Sequence, residues 1–343
     1  MSTLPYMIII TSIITGTLIT MTSQHWLMAW LGLELNTLAI IPMIMYSHHP
    51  RATEATTKYF LIQATASSLL LFATTTNAWS TGQWDMKLLS MFPSTIMLTL
   101  ALLMKMGAAP FHFWVPEVLQ GVPTLIGLTI LTWQKLAPLS LIIMSTNNIH
   151  HKTLIMSATL SVLLGGWGGM NQTQLRKLMA YSSISHVGWM MAATLVSPKI
   201  TLLTLLIYIL LTIPMFLSIH FTLSKTIKDT GTMWIISPTT SLTTMLILLS
   251  LAGMPPLTGF LPKWMILKEL LHYNLIIVAT LIAMLSLLSL YFYLNLSYMT
   301  TMTISPNTNS MMLKGRLKHN KLMMFSLLSS MAIFILPVLP LFT

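Results

Sequence analysis

The stretch LLMKMGAAPFHFW, Leu102 to Trp114, decides how this chain is read. Lys105 stands in an apolar run, where a charge is costly. Pro110, five residues on, has no N–H to give a helix and clashes with the preceding turn. His112 follows two residues later. A lysine, a helix break and a histidine in one greasy segment mark a polar place inside an apolar layer.

The rest of the chain supplies that layer. Of its 343 residues, 55% are hydrophobic and only 7% are charged, with mean hydropathy +0.79. Soluble domains carry about 25% charged residues, so composition indicates an integral membrane protein. Apolar segments recur near 3–22, 26–45, 57–78, 93–120, 124–144, 153–171, 178–196, 200–223, 241–271, 274–297 and 323–341. Most have the roughly 20 residues that cross a hydrocarbon core of about 30 Å. The expectation is an all-α polytopic protein of about eleven transmembrane helices, forming one membrane domain over 1–343. The opening MSTLPYMIIITSIITGTLITM lacks the basic start of a leader peptide and reads as a first helix.

The fourth and ninth segments are longer, and as straight helices of about 30 residues each would reach about 45 Å. Both are interrupted, the fourth by GAAP (Gly107 to Pro110) and the ninth by AGMPPLTGFLPK (Ala252 to Lys263), with Pro255 and Pro256 as its breakers. Segments one to five and six to ten then form two blocks, 1–150 and 151–298, each with a broken fourth helix. Five is odd, so the second block enters from the opposite side. Inverted repeats with broken helices at matching positions are a transporter pattern. The remainder, 299–343, is a basic loop and a final helix.

Charge sets the orientation. Of the seventeen basic residues, ten fall in loops on the side of the N-terminus, including Arg51, Lys58, Arg176 and Lys177. Four fall on the other side, and Lys105, Lys135 and Lys263 lie within segments. The positive-inside rule puts the N-terminus on the cytoplasmic or matrix side and the C-terminus opposite. The net charge of +11 is read as topology and attraction to anionic lipid, with no nucleic acid.

Four ionisable residues lie deep: Glu34 in AWLGLELNTLAIIP, Lys135 in LTILTWQKLAPLSLII, and the two lysines of the broken segments. A lysine at the bilayer centre costs about 2.5–3.5 kcal/mol on insertion scales. Lys135 is too central to reach water along its stem. Three buried lysines face one buried carboxylate, so Glu34 is expected to pair with Lys105. Lysines in apolar surroundings without a fixed counter-ion can exchange protons near neutral pH. Backbone carbonyls freed by the breaks are tolerated where they line a wet cavity. His112 and His186, the latter in YSSISHVGWMM, are candidate relays, with hydrogen-bonded packing as the alternative.

Absences narrow the function. The chain has no cysteine, which excludes disulfides and thiolate-ligated metals or iron–sulfur clusters. It shows no nucleotide-binding glycine motif, and GGWGGM (165–170) lies in a membrane segment, where glycines allow close helix packing. The histidine pairs 48–49 and 150–151 lack further ligands, so no metal or cofactor site is expected.

KMGAAPFHFWVPEVLQGVP (Lys105 to Pro123), QLRKLMAYSSISHVGWM (Gln174 to Met190) and AGMPPLTGFLPKW (Ala252 to Trp264) carry a resemblance. They are similar to the signature blocks of antiporter-like proton-translocating subunits, found in respiratory complex I and in multi-subunit sodium/proton antiporters. The resemblance covers the whole chain. In length and in its 30 methionines the chain resembles the mitochondrially encoded animal members. It implies a membrane-arm subunit of NADH:ubiquinone oxidoreductase in the mitochondrial inner membrane, with the N-terminus in the matrix and the C-terminus in the intermembrane space. Glu34 takes the place of the family glutamate and Lys105 that of its lysine partner. Lys135 matches the central lysine, Lys263 the lysine of the second broken helix, and His112 and His186 the polar-axis histidines. Flavin, iron–sulfur clusters, NADH and ubiquinone are expected in other subunits. Implied partners are the membrane-arm neighbours subunit 4 and subunit 4L, nuclear-encoded accessory subunits, and phospholipid such as cardiolipin. A sodium-exchanging antiporter and a non-conducting scaffold remain alternatives.

Overall fold

The computed structural model describes residues 3–47, 49–86, 88–89, 91–231, 233–236, 238–302 and 322–334. The expected basic loop, most of which is 303–321, and the end of the last segment lie outside the described residues, as do His48 and Lys87. Among the described residues every named element is helical. Helical segments of 18 residues or more that are apolar enough to cross a membrane are found at Pro5–Thr22, Trp26–Ile44, Thr124–Met144 (which includes a 3-10 turn), His151–Met170, Pro198–Thr222 and Ile276–Thr301. Two shorter apolar helices are Phe92–Met106 and Pro238–Ala252. The chain divides into two compact units, Met1–Ser161 and Val162–Thr343.

The first unit contains α1 (Thr3–Thr22), α2 (Trp26–Ile44), α3 (Pro50–Thr81), α4 (Phe92–Met106), α5 (Trp114–Gly121), α6 (Thr124–Leu131) and α7 (Leu136–Met144). Helix α8 (His151–Met170) spans the boundary. α1 packs on α2, α2 on α3, and α3 on both α4 and α5. α3 begins seven residues earlier than the hydropathy pattern places it. Pro50 pre-sets the first turn and the His49 ring accepts the Arg51 N–H, as helix starts require. Lys58, expected in a loop, is therefore helical. α1 and α2 approach through glycines: a Cβ on Gly32 would lie 2.8 Å from the Gly16 carbonyl oxygen.

The second unit contains α9 (Leu175–Thr194), α10 (Pro198–Thr222), α11 (Ile227–Gly231), α12 (Met233–Ile236), α13 (Pro238–Ala252), α14 (Phe260–His272), α15 (Ile276–Met302) and α16 (Leu322–Phe334). Sixteen of the twenty residues of α9 are buried, Ser182, Ser183 and Ser185 among them. A helix buried all round is normally apolar, and the serines of α9 are accommodated by donating to carbonyls three residues back on the same helix. The glycines of 165–170 serve close packing as expected. Added Cβ atoms would lie 2.6 Å from the Ser185 nitrogen at Gly165 and 2.3 Å from the Tyr181 ring at Gly168. Hydroxyls along these helices donate to the carbonyl three or four residues back, as at Thr244 and Ser289, which satisfies them without water.

Both expected breaks are present and have the same construction. α4 ends at Gly107 (φ 70), with Ala108 N–H donating to Leu103. α13 ends at Gly253 (φ 82), with Met254 N–H donating to Leu249. This left-handed cap suits glycine because it has no Cβ. Each 15-residue first half rises only about 22 Å, short of the core thickness, so each break falls within the apolar layer. Aligned on these glycines, Lys105–Glu117 and Leu251–Lys263 also match at Pro110 and Pro256, and at Pro116 and Pro262. The second halves begin at the matching residues Trp114 and Phe260.

A second pair of features repeats. The residue before α2, His25, forms a single antiparallel bridge with Asp85, ahead of α4. The residue before α9, Gln174, forms one with Thr226, ahead of α13. Asp229 braces the latter connection by accepting the N–H groups of Thr226 (2.8 Å) and Lys225 (2.9 Å). Those bonds, the Thr226 one foremost, hold its carboxyl below the ordinary carboxylate range. α16 closes on the second break, where the buried Thr258 hydroxyl donates to the Ala332 carbonyl at 2.7 Å.

Gly259 is the tightest point of that break, because a Cβ there would lie 1.7 Å from the Ser250 carbonyl oxygen. Gly82 has φ 72 but open space around it. Gly259→Ala is expected to prevent accumulation of the protein in membranes. Gly82→Ala pays only the left-handed strain of about 1–2 kcal/mol and is expected to accumulate. Immunoblotting of membrane fractions checks both.

Candidate functional site

The first unit places three expected residues in its interior: Lys105 is 6% exposed, Lys135 4% and His112 3%. Lys105 occupies the last turn of α4. The carbonyl end of a helix carries partial negative charge, which favours a cation there. Glu34 lies midway along α2, close enough for its charge to act on the Lys105 ammonium and the buried Tyr59 hydroxyl of α3.

The expected direct pairing of Glu34 with Lys105 is corrected. Glu34 Oε2 and Lys105 Nζ are both buried, and neither has a hydrogen-bond partner in the protein. Lys58 pairs instead with Glu54, one turn earlier on α3, and with Glu117 at 2.7 Å, the latter tying α3 to α5. Glu34 and Lys105 are anchored on different helices and are coupled through space. Buried polar groups of this kind are normally met by ordered water.

Lys135 brings a second correction. The fifth segment, expected to be continuous, is also interrupted. α6 stops at Leu131, Trp133–Lys135 forms a 3-10 turn, and α7 resumes at Leu136. The cause is Pro138, which has no N–H for the Gln134 carbonyl and crowds it. The Thr132 hydroxyl donates to the Leu128 carbonyl at 2.7 Å, on the α6 side of the interruption. Pro138 was the available signal. It stands three residues past the lysine, away from any glycine.

His112 lies within the first break, its Nδ1 3.2 Å from the Pro110 carbonyl and its ring 4.2 Å from that of Phe113. The Met104 carbonyl of α4, which accepts the Gly107 N–H at the cap, also accepts the Trp114 indole N–H at 3.2 Å. The first break thus satisfies part of its own backbone.

In the second unit Lys263, on α14, donates to the Ala252 carbonyl at the end of α13, at 2.7 Å. Its ammonium also lies 5.8 Å from the centre of the Trp189 ring, a cation–π distance. Gly253 makes the room, since a Cβ there would lie 2.8 Å from the ammonium nitrogen. Lys263 therefore has a fixed polar partner, and that partner is a neutral backbone carbonyl, not a counter-ion. In the glycine-aligned register Lys263 takes the place of Glu117, while the place of Lys105 is taken by Leu251. One unit carries its lysine before the break and the other after it.

His186 and Lys263 line one cavity, together with Trp189, Thr204, Tyr208 and Gly259. It offers about 20 Å³ to the centres of water molecules, room for one or two. The His186 ring lies 5.2 Å from that of Tyr208, whose hydroxyl hydrogen-bonds Ser183. His186 shares a cavity with a lysine, whereas His112 is held by its own loop. The serines and tyrosine around His186 escaped sequence reasoning because such residues are common in membrane helices and carry no spacing signal. Among the described residues no three His, Cys, Asp or Glu side chains gather as a metal site.

Residues 23–289 match the family model described as NADH:quinone oxidoreductase/Mrp antiporter, TM. Residues 290–343 match that of the NADH dehydrogenase subunit 2 C-terminus. The chain is 54% identical over 340 residues to NADH-ubiquinone oxidoreductase chain 2 of Latimeria chalumnae, covering 98% of this chain and 97% of that one. It is 52% identical over 341 residues to the protein of the same name from Lycodon semicarinatus, covering 99% of each. Among solved structures, a chain of respiratory complex I from Thermus thermophilus has a TM-score of 0.83 at 24% identity, over 97% of this chain and 79% of that one. A chain of the Mrp complex from Dietzia sp. DQ12-45-1b has a TM-score of 0.76 at 16% identity, over 88% and 61%. At these identities the structural likeness is one of fold. The matches over nearly the full length show that the chain belongs to the NADH:quinone oxidoreductase/Mrp antiporter transmembrane family, in its NADH-ubiquinone oxidoreductase chain 2 branch.

Proposed function

We propose that this chain is a proton-translocating membrane-arm subunit of respiratory complex I, working as a multi-pass protein of the mitochondrial inner membrane. The observation that carries the reading is the placement of buried lysines at helix interruptions: Lys105 at the end of α4, Lys135 in the turn before α7, and Lys263 on the carbonyl that ends α13. A lysine placed this way is stabilised as a cation by backbone dipoles, most directly where Lys263 donates to the Ala252 carbonyl. It can release its proton to water and take it back.

Each residue has a role in this reading. Glu34 acts on Lys105 through space, so a change in the charge of either alters the affinity of Lys105 for its proton. Lys135 is the central carrier. Lys263 and His186 exchange a proton through water in the cavity they share, and His112 stands beside the first break as a further relay. Electron transfer, with its flavin, iron–sulfur clusters and quinone, belongs to other subunits.

The architecture that fits this role has eleven spans. Two inverted five-span repeats, 1–150 and 151–298, are followed by a basic loop and a final span. The paired glycine caps and the paired bridges ahead of α4 and α13 support the repeat. The balance of basic residues supports an N-terminus in the matrix and a C-terminus in the intermembrane space. Subunit 4, subunit 4L, accessory subunits and cardiolipin are the expected neighbours.

The test is NADH-driven proton uptake by sealed vesicles containing the assembled complex. Lys135→Ala is expected to lower the protons moved per electron while electron transfer to quinone persists. An unchanged proton yield would contradict the reading and favour a scaffold. Sodium-dependent exchange without NADH would favour an antiporter. Gly253→Ala is expected to push the Lys263 ammonium off the Ala252 carbonyl and to reduce the proton yield as Lys263→Ala does. Proton yields of both variants, with a map of the altered break, check this.

A further inference from the structure

Among the described residues, nine buried side-chain nitrogen or oxygen atoms have no hydrogen-bond partner in the protein, and five of them lie on α2. These are the indole nitrogens of Trp26 and Trp30, Oε2 of Glu34 and both amide atoms of Asn36. Trp26 is only 1% exposed. Trp26, Trp30 and Glu34 recur every four residues and so share one face of the helix. At 1.5 Å per residue they are spaced about 6 Å apart, about 12 Å from first to last.

An indole N–H can only donate. Leaving a buried donor unmet costs about 1–3 kcal/mol, whereas phenylalanine would fill similar space without that cost. Tryptophan at a membrane interface usually gives its N–H to headgroups or bulk water. These two nitrogens are instead enclosed by the chain's own atoms. The partner that such enclosed donors require is water inside the protein.

The row starts at a polar surface. His25 immediately precedes α2 and is half-buried, while Asp85, its bridge partner, is exposed. The His25 ring stacks on Trp84 at 5.9 Å, and the backbone N–H of Trp26 donates to the Trp84 carbonyl at 3.1 Å. Two ionisable side chains thus stand at one end of the row and a buried carboxylate at the other.

We propose that the Trp26–Trp30 face of α2 holds a file of water joining the His25–Asp85 surface to Glu34, and is the proton route that serves the Glu34–Lys105 pair. The indoles hold and orient the water and do not titrate. The proton passes between water molecules and arrives on, or leaves from, the Glu34 carboxylate. Trp26 and Trp30 are therefore positioning residues. The inference rests on the proton-translocating reading given above.

Two measurements on the intact complex test it. In a map that resolves water, ordered molecules are expected within about 3.2 Å of both indole nitrogens and of Glu34 Oε2. Dry apolar packing or a protein acceptor at these atoms would overturn the proposal, whether or not variants assemble. In sealed vesicles, Trp30→Phe is expected to lose the same share of proton yield per electron as Glu34→Gln, with electron transfer retained. Combining Trp26→Phe with Trp30→Phe should lose no more, because the sites act in series. A normal yield in Trp30→Phe beside a reduced one in Glu34→Gln would overturn the route alone. Normal yields in both Glu34→Gln and Lys135→Ala would remove the reading on which the route rests.

Discussion

A charge in a hydrocarbon layer must find a polar partner, and this chain supplies backbone for that purpose by breaking its helices. An uninterrupted helix uses its carbonyls internally. A break frees several of them at depth, where water is scarce and each unmet group is costly. Lys263 takes one such carbonyl directly, that of Ala252. Lys105 sits at the negative end of a half-helix, and Lys135 at a turn enforced by Pro138. The glycine caps, the close approach at Gly259 and the clasp of Thr258 on α16 all serve to hold an interruption in place.

Partners of this kind suit proton transfer better than permanent ion pairs do. A carboxylate in contact with each lysine would hold the ammonium form, and separating them would leave an uncompensated buried charge at a cost of several kcal/mol. Carbonyl dipoles favour the cation more weakly and still accept a hydrogen bond from water. Glu34 takes part without contact, so its charge shifts Lys105 without trapping it. The ionic contacts of Lys58 with Glu54 and Glu117 involve partly exposed side chains, where screening makes them worth little.

Much of this was legible in the sequence. Composition and segment length show a membrane protein, and GAAP and AGMPPLTGFLPK mark two breaks because proline and glycine act on the backbone locally. Other features depend on how helices rotate and pack. The absence of a Glu34–Lys105 contact could not be read, because residue identity does not fix the distance between side chains on two helices. The turn at Lys135 depends on Pro138 acting on a carbonyl four residues back, and the hydropathy of the segment conceals it. The correspondence of Lys263 with Glu117 became visible only once Gly107 and Gly253 were seen to be the caps. Tryptophans in a membrane helix give no sign of whether their N–H groups face lipid, protein or water, so the polar face of α2 was hidden too.

The central claim is that Glu34 and Lys105 communicate through space and water and not by direct contact. The measurement that tests it most directly is a water-resolving map of the intact complex around Glu34 and Lys105. The account predicts ordered water between Glu34 Oε2 and Lys105 Nζ, with the two atoms beyond direct hydrogen-bond distance. A direct contact at about 2.8 Å in dry surroundings would contradict it.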